Sequence, residues 1–173
     1  LAASDRLDEA IPFLEQACLL DPRDPHTHSL LARLYARRRH YSHAQQALRM
    51  AIQLDERDAS LRADLAAVYQ AQNQDHLAAQ ELQEALELDR GNRDASLRLA
   101  QLLERHGNSA EAVRRLDQAL QFHPQDLQIH RQLGELHMRS GRLDDALSHF
   151  EEVVKLDPAS AEARYHDQLV AWR

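Results

Sequence analysis

The sequence predicts an all-α fold made of repeated antiparallel helix pairs, and three observations support this prediction. A short motif recurs at intervals of 34 residues, as LLDP at 19–22, QLDE at 53–56, ELDR at 87–90, QFHP at 121–124 and KLDP at 155–158. Helix-capping residues recur at two places in each interval, and leucine and alanine recur between them at the spacing of amphipathic helices. A repeat of this length is typical of solenoid proteins, in which each repeat packs on its neighbours.

Two helices are predicted in each repeat, because two columns of capping residues lie half a repeat apart. Ser, Asp and Asn side chains accept hydrogen bonds from the free amides of a helix's first turn. The first column holds Asp24, Asp58, Asn92, Asp126 and Ser160. The second column holds Asp8, Ser42, Asp75, Ser109 and Asp144. We therefore expect a capped helix start at each of these positions.

Helix ends are predicted where glycine, asparagine or proline interrupts the pattern. Residues that tolerate a left-handed turn follow the first helices, at Asn73, Gly107 and Gly141. Prolines that stop the second helices are Pro22, Pro124 and Pro158. Where this proline is missing, Gly91 is expected to close the helix. Pro12 lies inside a helix predicted at 7–20, so that helix should start late or kink.

Small residues form the most regular columns of the repeat. In the first helices they are Ala32, Ala66, Ala100 and Gly134. Early in the second helices they are Ala10, Ala44, Ala78, Ala112 and Ala146. Small side chains let two helix backbones approach closely, and leucine-rich stripes around these columns supply the buried faces. We expect the two helices of each pair to meet at these columns.

These residues resemble the tetratricopeptide repeat family. The resemblance rests on LLARLY at 30–35, DLAAVY at 64–69 and QLGELH at 132–137, on the alanine and large apolar residue of each second helix, and on the terminal LDP. It covers residues 7–173 and implies a right-handed α-solenoid whose first helices line a concave groove. The sequence departs from the family at the first-helix tryptophan, whose positions hold His28, Arg62, Ser96 and His130.

The predicted organisation is four complete repeats with partial repeats on both sides. Residues 1–24 hold the second helix of a truncated repeat, and 161–173 hold a lone terminal helix. The complete repeats are 25–58, 59–92, 93–126 and 127–160. Trp172 has no following helix to cover it, so self-association through the two ends is expected. The chain begins at Leu1 without a leader, which suggests a piece of a longer protein whose compartment is unknown, cytoplasmic by default and alternatively periplasmic.

Composition argues against several classes of function. Asp and Glu number 28 against 21 Lys and Arg, a net charge of −7, whereas nucleic-acid binding needs concentrated positive charge. No apolar run approaches the roughly 18 residues of a membrane span, so no membrane insertion is predicted. Cys18 is the single cysteine, which excludes a disulfide framework and argues against a thiolate metal site.

The sequence shows no pattern of catalytic or metal-binding residues. Among the eleven histidines, no pair has the spacing of a metalloprotease or zinc finger. His130 and His137 lie two helical turns apart at predicted core positions, which packing explains better than ligation. No GxSxG motif occurs, and four glycines leave no phosphate-binding loop. We predict no metal, no cofactor and no enzyme activity in this segment.

The predicted function is a non-catalytic scaffold that binds a peptide or partner segment in the groove. Candidate groove residues lie on the first helices opposite the buried stripe: Arg33, Arg37, Ala63, Asp64, Ala67, Ala71, Arg98, Gln101, Arg105, Arg131, Glu135 and Arg139. The inner positions carry these six arginines against Asp64, Asp94, Glu104 and Glu135, a net +2 that favours an acidic segment. Ala63, Ala67 and Ala71 would form a small-residue floor for a bulky apolar side chain. Alternatively, the arginines simply pair with nearby acids.

Other functions stay open beside this one. The family that the chain resembles includes proteins that bind the carboxyl terminus of a chaperone with a clamp of lysines and asparagines. The aligned positions here carry Ser29, Arg33, Asp64, Asp94 and Arg98, and the two acids would repel that ligand. The asparagines of the chain lie in turns and caps, which also disfavours the inner asparagine ladder of glycosyltransferases with such repeats. The array could instead be a structural spacer or oligomerising element of a larger assembly, such as a bacterial envelope or secretion complex. It could also be the regulatory arm of an enzyme encoded elsewhere in the full chain.

Overall fold

A computed structural model describes the backbone of residues 2–159 and the side chains from Ala10 onward. Over this range the chain forms nine helices and no strand. Their bounds are α1 Ala2–Leu20, α2 Pro25–Arg37, α3 Tyr41–Leu54, α4 Ala59–Ala71, α5 Asp75–Leu88, α6 Arg93–Arg105, α7 Ser109–Leu120, α8 Leu127–Arg139 and α9 Leu143–Leu156. The helix predicted at 161–173, with Trp172 and the cap at Ser160, lies outside the described residues. The division into four repeats stays a prediction.

The first helices begin at the capping residues that the sequence predicts. Asp24 accepts hydrogen bonds from the backbone N–H groups of His26 and Thr27, at 3.0 and 3.1 Å. Asp58 and Asp126 are the N-caps of α4 and α8. Asn92 immediately precedes α6, and its Oδ1 accepts a hydrogen bond from the Ala95 amide at 3.0 Å. The described part of the first capping column is therefore confirmed.

The predicted caps of the second helices are wrong. Asp75 and Ser109 are the first residues of α5 and α7, and Ser42 and Asp144 lie one position further inside α3 and α9. The N-cap positions are His40, Gln74, Asn108 and Arg142, and among these only Asn108 makes a side-chain capping bond, to the Glu111 amide at 3.4 Å.

The start of each second helix is set by the end of the first helix. One residue in each turn has a left-handed backbone, with φ of 61° at Arg39, 58° at Asn73, 77° at Gly107 and 72° at Gly141. The next amide then bonds back to the first helix, as Gln74 does to the Tyr69 carbonyl at 3.0 Å and Arg142 to the His137 carbonyl at 2.9 Å. This closing bond fixes the turn and with it the residue at which the second helix begins.

The second helices end at the aspartate of the recurring motif. Asp55, Asp89 and Asp157 are the C-caps of α3, α5 and α9, so the expectation that Gly91 closes α5 is wrong. The Asp89 carboxylate instead accepts a hydrogen bond from the Gly91 amide at 2.9 Å, which starts the turn. Of the two outcomes expected at Pro12, the late start is wrong, because α1 begins at Ala2 and contains this proline, and the kink stays a prediction.

The chain divides into two compact units between Ala95 and Ser96, within the first turn of α6. In unit 1, helices α1 to α5 each pack on the next in order, and α4 also packs on α2. In unit 2, α8 packs on both α7 and α9. Both units bury the predicted small-residue columns except at Ala10, which is half-buried, and exposure is at most 1% at Ala32, Ala44, Ala66, Ala78, Ala100, Ala112 and Ala146. The contact of the helix pairs at these columns is therefore confirmed.

In unit 2 the close approach of α8 and α9 depends on Gly134. A Cβ atom added to Gly134 would lie 2.6 Å from Cε1, 2.8 Å from Cζ and 2.9 Å from Cδ1 of Phe150. The Phe150 side chain is fully buried and packs with Ala146 and Val153. The absence of a side chain at Gly134 is what lets this ring lie against α8.

We expect Ala78→Leu to destabilise the protein by about 1–3 kcal/mol, because no volume is available for three more carbon atoms at this helix contact. The measurement is the free energy of unfolding in urea. Gln83→Leu is the matched control, since it introduces the same side chain at an exposed position of the same helix. Equal losses in the two variants would contradict the assigned packing.

We expect Gly134→Ala to lower the free energy of unfolding by about 1–3 kcal/mol, because the added methyl group meets the Phe150 ring. This loss should outweigh the gain of about 1 kcal/mol that alanine normally brings to a helix interior. The control is the same substitution in a Phe150→Leu background, where the ring is gone and alanine should no longer cost stability. A higher melting temperature for the single variant would show that the ring is free to move.

Candidate interaction surface

The first helices of unit 1 present a surface made of Arg33, Arg37, Asp64, Ala67 and Ala71, which we call the α2–α4 surface. Arg33 and Arg37 are exposed, Asp64 and Ala67 are half-buried, and Ala71 is exposed. Both Nε and one terminal nitrogen of Arg33 lie 2.9 Å from Asp64 Oδ2. The guanidinium of Arg33 is therefore partly neutralised by a neighbouring helix.

Ala63 does not belong to this surface, because its side chain is only 3% exposed. The prediction that Ala63, Ala67 and Ala71 together form an open floor is therefore wrong at its first position. The physical reason is that α4 packs on α2, α3 and α5 at once, which buries more of its circumference than a single stripe. Ala67 and Ala71 remain at the surface, one helical turn apart.

The first helices of unit 2 present the α6–α8 surface, which consists of Arg98, Gln101, Glu104, Arg105, Arg131, Glu135 and Arg139. Arg139 on α8 contacts the carboxylate of Glu104 on α6 and lies 4.0 Å from that of Glu135. The contact with Glu104 joins the two helices across the surface. Gln101 and Arg105 are exposed, while Arg98 is half-buried.

Arg131 differs from Arg139 in its hydrogen-bond partner. Its guanidinium donates a hydrogen bond to the side-chain carbonyl of Gln128, a neutral acceptor. Its Nε is buried without a hydrogen-bond partner among the described residues. Within that part of the chain no carboxylate pairs with Arg131, so its positive charge is not neutralised by an ion pair.

The two surfaces differ in net charge. The α2–α4 surface holds Arg33 and Arg37 against Asp64, a net of +1. The α6–α8 surface holds four arginines against Glu104 and Glu135, a net of +2, and Asp94, the remaining acid of the inner positions, lies in the first turn of α6. By these members, the α6–α8 surface carries the larger positive charge.

Pairing of arginines with nearby acids, the alternative raised by the sequence, occurs at several positions. It is found at Arg33 and Arg139, and also away from these surfaces, where Arg62 contacts both Glu81 and Glu84. Exposed pairs of this kind contribute little to stability, about 0–1 kcal/mol each. On the α6–α8 surface, Arg139 is paired in this way, whereas Arg131 contacts the neutral Gln128.

The histidines that the sequence assigns to packing are buried. His130 and His137 on α8 are 7% and 6% exposed. A third ring, that of His149 on α9, lies against both and was not singled out from the sequence. Among the residues whose side chains are described, no group of three or more His, Cys, Asp or Glu has a geometry that could hold a metal ion.

Helix α1 carries large exposed apolar side chains. Phe13, Leu19 and Leu20 are 72%, 81% and 88% exposed. This apolar area is compatible with self-association, which stays a prediction. None of the described helices is both long enough and apolar enough to span a membrane.

Comparison with known proteins identifies the class. One tetratricopeptide repeat model matches residues 63–126 and 97–161, and a second matches residues 1–59. The chain therefore belongs to the tetratricopeptide repeat family. Proteins of this family are protein–protein interaction scaffolds that bind proteins or peptides. No curated protein matches the chain by sequence.

Solved structures show the same fold at low sequence identity. The crystal structure of MamA has a TM-score of 0.78 and 19% identity, over 93% of this chain and 94% of that one. YrrB, described as a TPR protein with an unusual peptide-binding site, has a TM-score of 0.71 and 20% identity, over 97% and 87%. TTC0263, a TPR protein from Thermus thermophilus, has a TM-score of 0.71 and 22% identity, over 98% and 94%. The predicted all-α solenoid class is confirmed.

Proposed function

We propose that the protein is a non-catalytic scaffold that binds an acidic or carboxylate-bearing segment of a partner protein on its α6–α8 surface. The observation that carries this proposal is the guanidinium of Arg131, which no described carboxylate neutralises. Gln128 gives Arg131 a neutral hydrogen-bond acceptor, and a carboxylate of the partner would give it a negatively charged one. Arginine suits this role because its planar group can donate two parallel hydrogen bonds to one carboxylate.

The distribution of charge supports the same choice of partner. The α6–α8 surface is net positive in a chain whose net charge is −7, so the rest of the chain repels an acidic segment while this surface attracts it. Exposed charges act over about a Debye length, which is roughly 8 Å at physiological ionic strength. Binding should therefore weaken as salt is added.

Relatives of the same fold make a peptide ligand reasonable. YrrB is described as having an unusual peptide-binding site. The predicted site also includes residues of the α2–α4 surface. There, Ala67 and Ala71 would give a peptide's apolar side chain room to lie beside Arg33 and Arg37. The roles of a structural spacer or of a regulatory arm of a larger enzyme remain hypotheses beside this proposal.

The test measures binding of three labelled peptides of equal length by fluorescence anisotropy: one of Glu and Leu, one of Gln and Leu, and one of Lys and Leu. We expect the acidic peptide to bind best and to weaken with salt. Arg98→Gln combined with Arg131→Gln should weaken it about tenfold or more, since a hydrogen bond to a charged group contributes roughly 1.5–3 kcal/mol.

The matched control is Arg114→Gln combined with Arg115→Gln. Both residues lie on α7 and pair with Glu111, so this variant removes the same charge away from the α6–α8 surface. Melting curves first establish that both double variants remain folded. Equal loss of binding in the two variants would mean that only net charge matters, and unchanged binding in the first would refute the proposed site.

A further inference from the structure

Three histidine rings meet where α8 packs on α9. Nδ1 of His130 lies 3.1 Å from Nδ1 of His149, and Nε2 of His130 lies 3.0 Å from the Pro124 carbonyl oxygen. The ring of His137 is stacked on that of His149, with centroids 5.5 Å apart and planes 10° apart. The cluster lies on the same pair of helices as the Gly134–Phe150 contact described above.

The hydrogen bonds fix the protonation of the neutral pair. A carbonyl oxygen only accepts, so Nε2 of His130 carries a hydrogen and donates it to Pro124. Nδ1 of a neutral His130 is then an acceptor, and Nδ1 of His149 must be the donor. Each ring therefore has one defined tautomer as long as both are neutral.

This geometry accommodates one added proton but not two. With one, only one of the two Nδ1 atoms needs to carry a hydrogen, so the hydrogen bond between the rings is kept. With two, an N–H group on each ring would point at the other across 3.1 Å, and the hydrogen bond would be lost. Two positive rings would then also be in contact in a mostly buried place, where charge is costly.

The charged groups around the cluster come from α7, α9 and the turn before α9. Asp145 on α9 lies 3.7 Å from Nδ1 of His137, too far for a hydrogen bond, so this buried nitrogen has no hydrogen-bond partner among the described residues. Asp117 on α7 also favours a charged His137, whereas Arg142 opposes it. Asp145 and Glu152 favour a charged His149, and the other two histidines oppose it.

The balance of these effects favours neutral rings. Burial, together with His130 and His137, lowers the pKa of His149 to about 4. Burial and Arg142 also lower the pKa of His137. An imidazole in an unfolded or opened chain titrates near about 6.5. The opened state therefore binds more protons below that pH, so acid favours opening, and the stability of this contact is complete above about pH 6.5 and lost toward about pH 4.

We propose that the His130–His137–His149 cluster makes the contact between α8 and α9 acid-sensitive, so that mild acid loosens α9 from α8. The contact is closed when the rings are neutral. It opens when the cluster has to hold more than one proton, and this exposes the Phe150 face of α9. Unit 2 would thus respond to pH over the range in which histidine titrates.

The chain contains a natural comparison for this device. Three repeat intervals earlier, His28 Nε2 makes the corresponding contact with the Pro22 carbonyl at 3.1 Å, but the position that corresponds to His149 is Ala47. In α4 and α5 the corresponding pair is Arg62 and Glu81, 3.2 Å apart. Neither site brings two imidazoles together, so neither should respond in the same way.

The first test is hydrogen–deuterium exchange of the whole chain at about pH 7.5 and about pH 5, with rates corrected for the intrinsic effect of pH. We expect protection in α8 and α9 to fall about tenfold or more relative to α4 and α5, as one pKa unit corresponds to a factor of ten in the opening equilibrium. An equal change in the two helix pairs would overturn the proposal.

The second test uses His149→Gln, which replaces the ring by an amide that does not titrate in this range. We expect the acid-induced loss of protection in α8 and α9 to become clearly smaller, with His137 contributing what remains, and His28→Gln, the control, to keep the full loss. Retention of the full loss in His149→Gln would contradict the proposal. If this variant does not fold, NMR titration of the unmodified protein decides, because a His149 midpoint near about 6.5 would show an ordinary, unconstrained imidazole.

Discussion

The fold depends on the close approach of two helices at columns that permit almost no side-chain volume. Ala78 in unit 1 and Ala112 in unit 2 are fully buried, and at Gly134 even a methyl group would meet the Phe150 ring. Because the two backbones lie this close, the leucines beside them reach across the contact and the aligned helix faces become fixed relative to each other. The exposed first-helix faces, and with them the candidate binding surfaces, follow from this constraint, since burying one stripe determines which stripe remains outside.

Local signals predicted the parts of the fold that local chemistry controls. Asp24 and Asp126 cap their helices because a carboxylate needs only the amides two or three residues further on. The starts of the second helices could not be read in this way. They are set by the left-handed residue and the closing bond to the preceding helix, and Arg39 shows that a non-glycine residue can occupy that position. The column that contains Ser42 and Asp144 therefore lies near the starts of the second helices, but its residues are not the N-caps.

The candidate surface was predictable as a set of exposed positions and not as a set of interactions. Arg131 and Arg139 both fall on the outer stripe, yet the sequence does not indicate that Arg139 contacts Glu104 while Arg131 finds only Gln128. That difference depends on how far each side chain reaches between helices. Ala63 was misplaced for a related reason, since the pattern of one helix does not reveal that α4 has neighbours on three sides.

The acid-sensitive cluster lies at a position where the repeats of this chain differ from the family and from one another. The positions where the resemblance implies a tryptophan hold His28, Arg62, Ser96 and His130. In α4 and α8 the polar side chain there contacts a partner nineteen residues further on, and across the repeats that second position holds Ala47, Glu81, Arg115 and His149. Arg62 and Glu81 form an ion pair, whereas His130 and His149 are two imidazoles in contact, and burial together with the neighbouring histidines lowers the pKa of His149 to about 4. One structural position thus holds an ion pair in unit 1 and a pair of imidazoles in unit 2, so the proposed response to acid is confined to one helix pair.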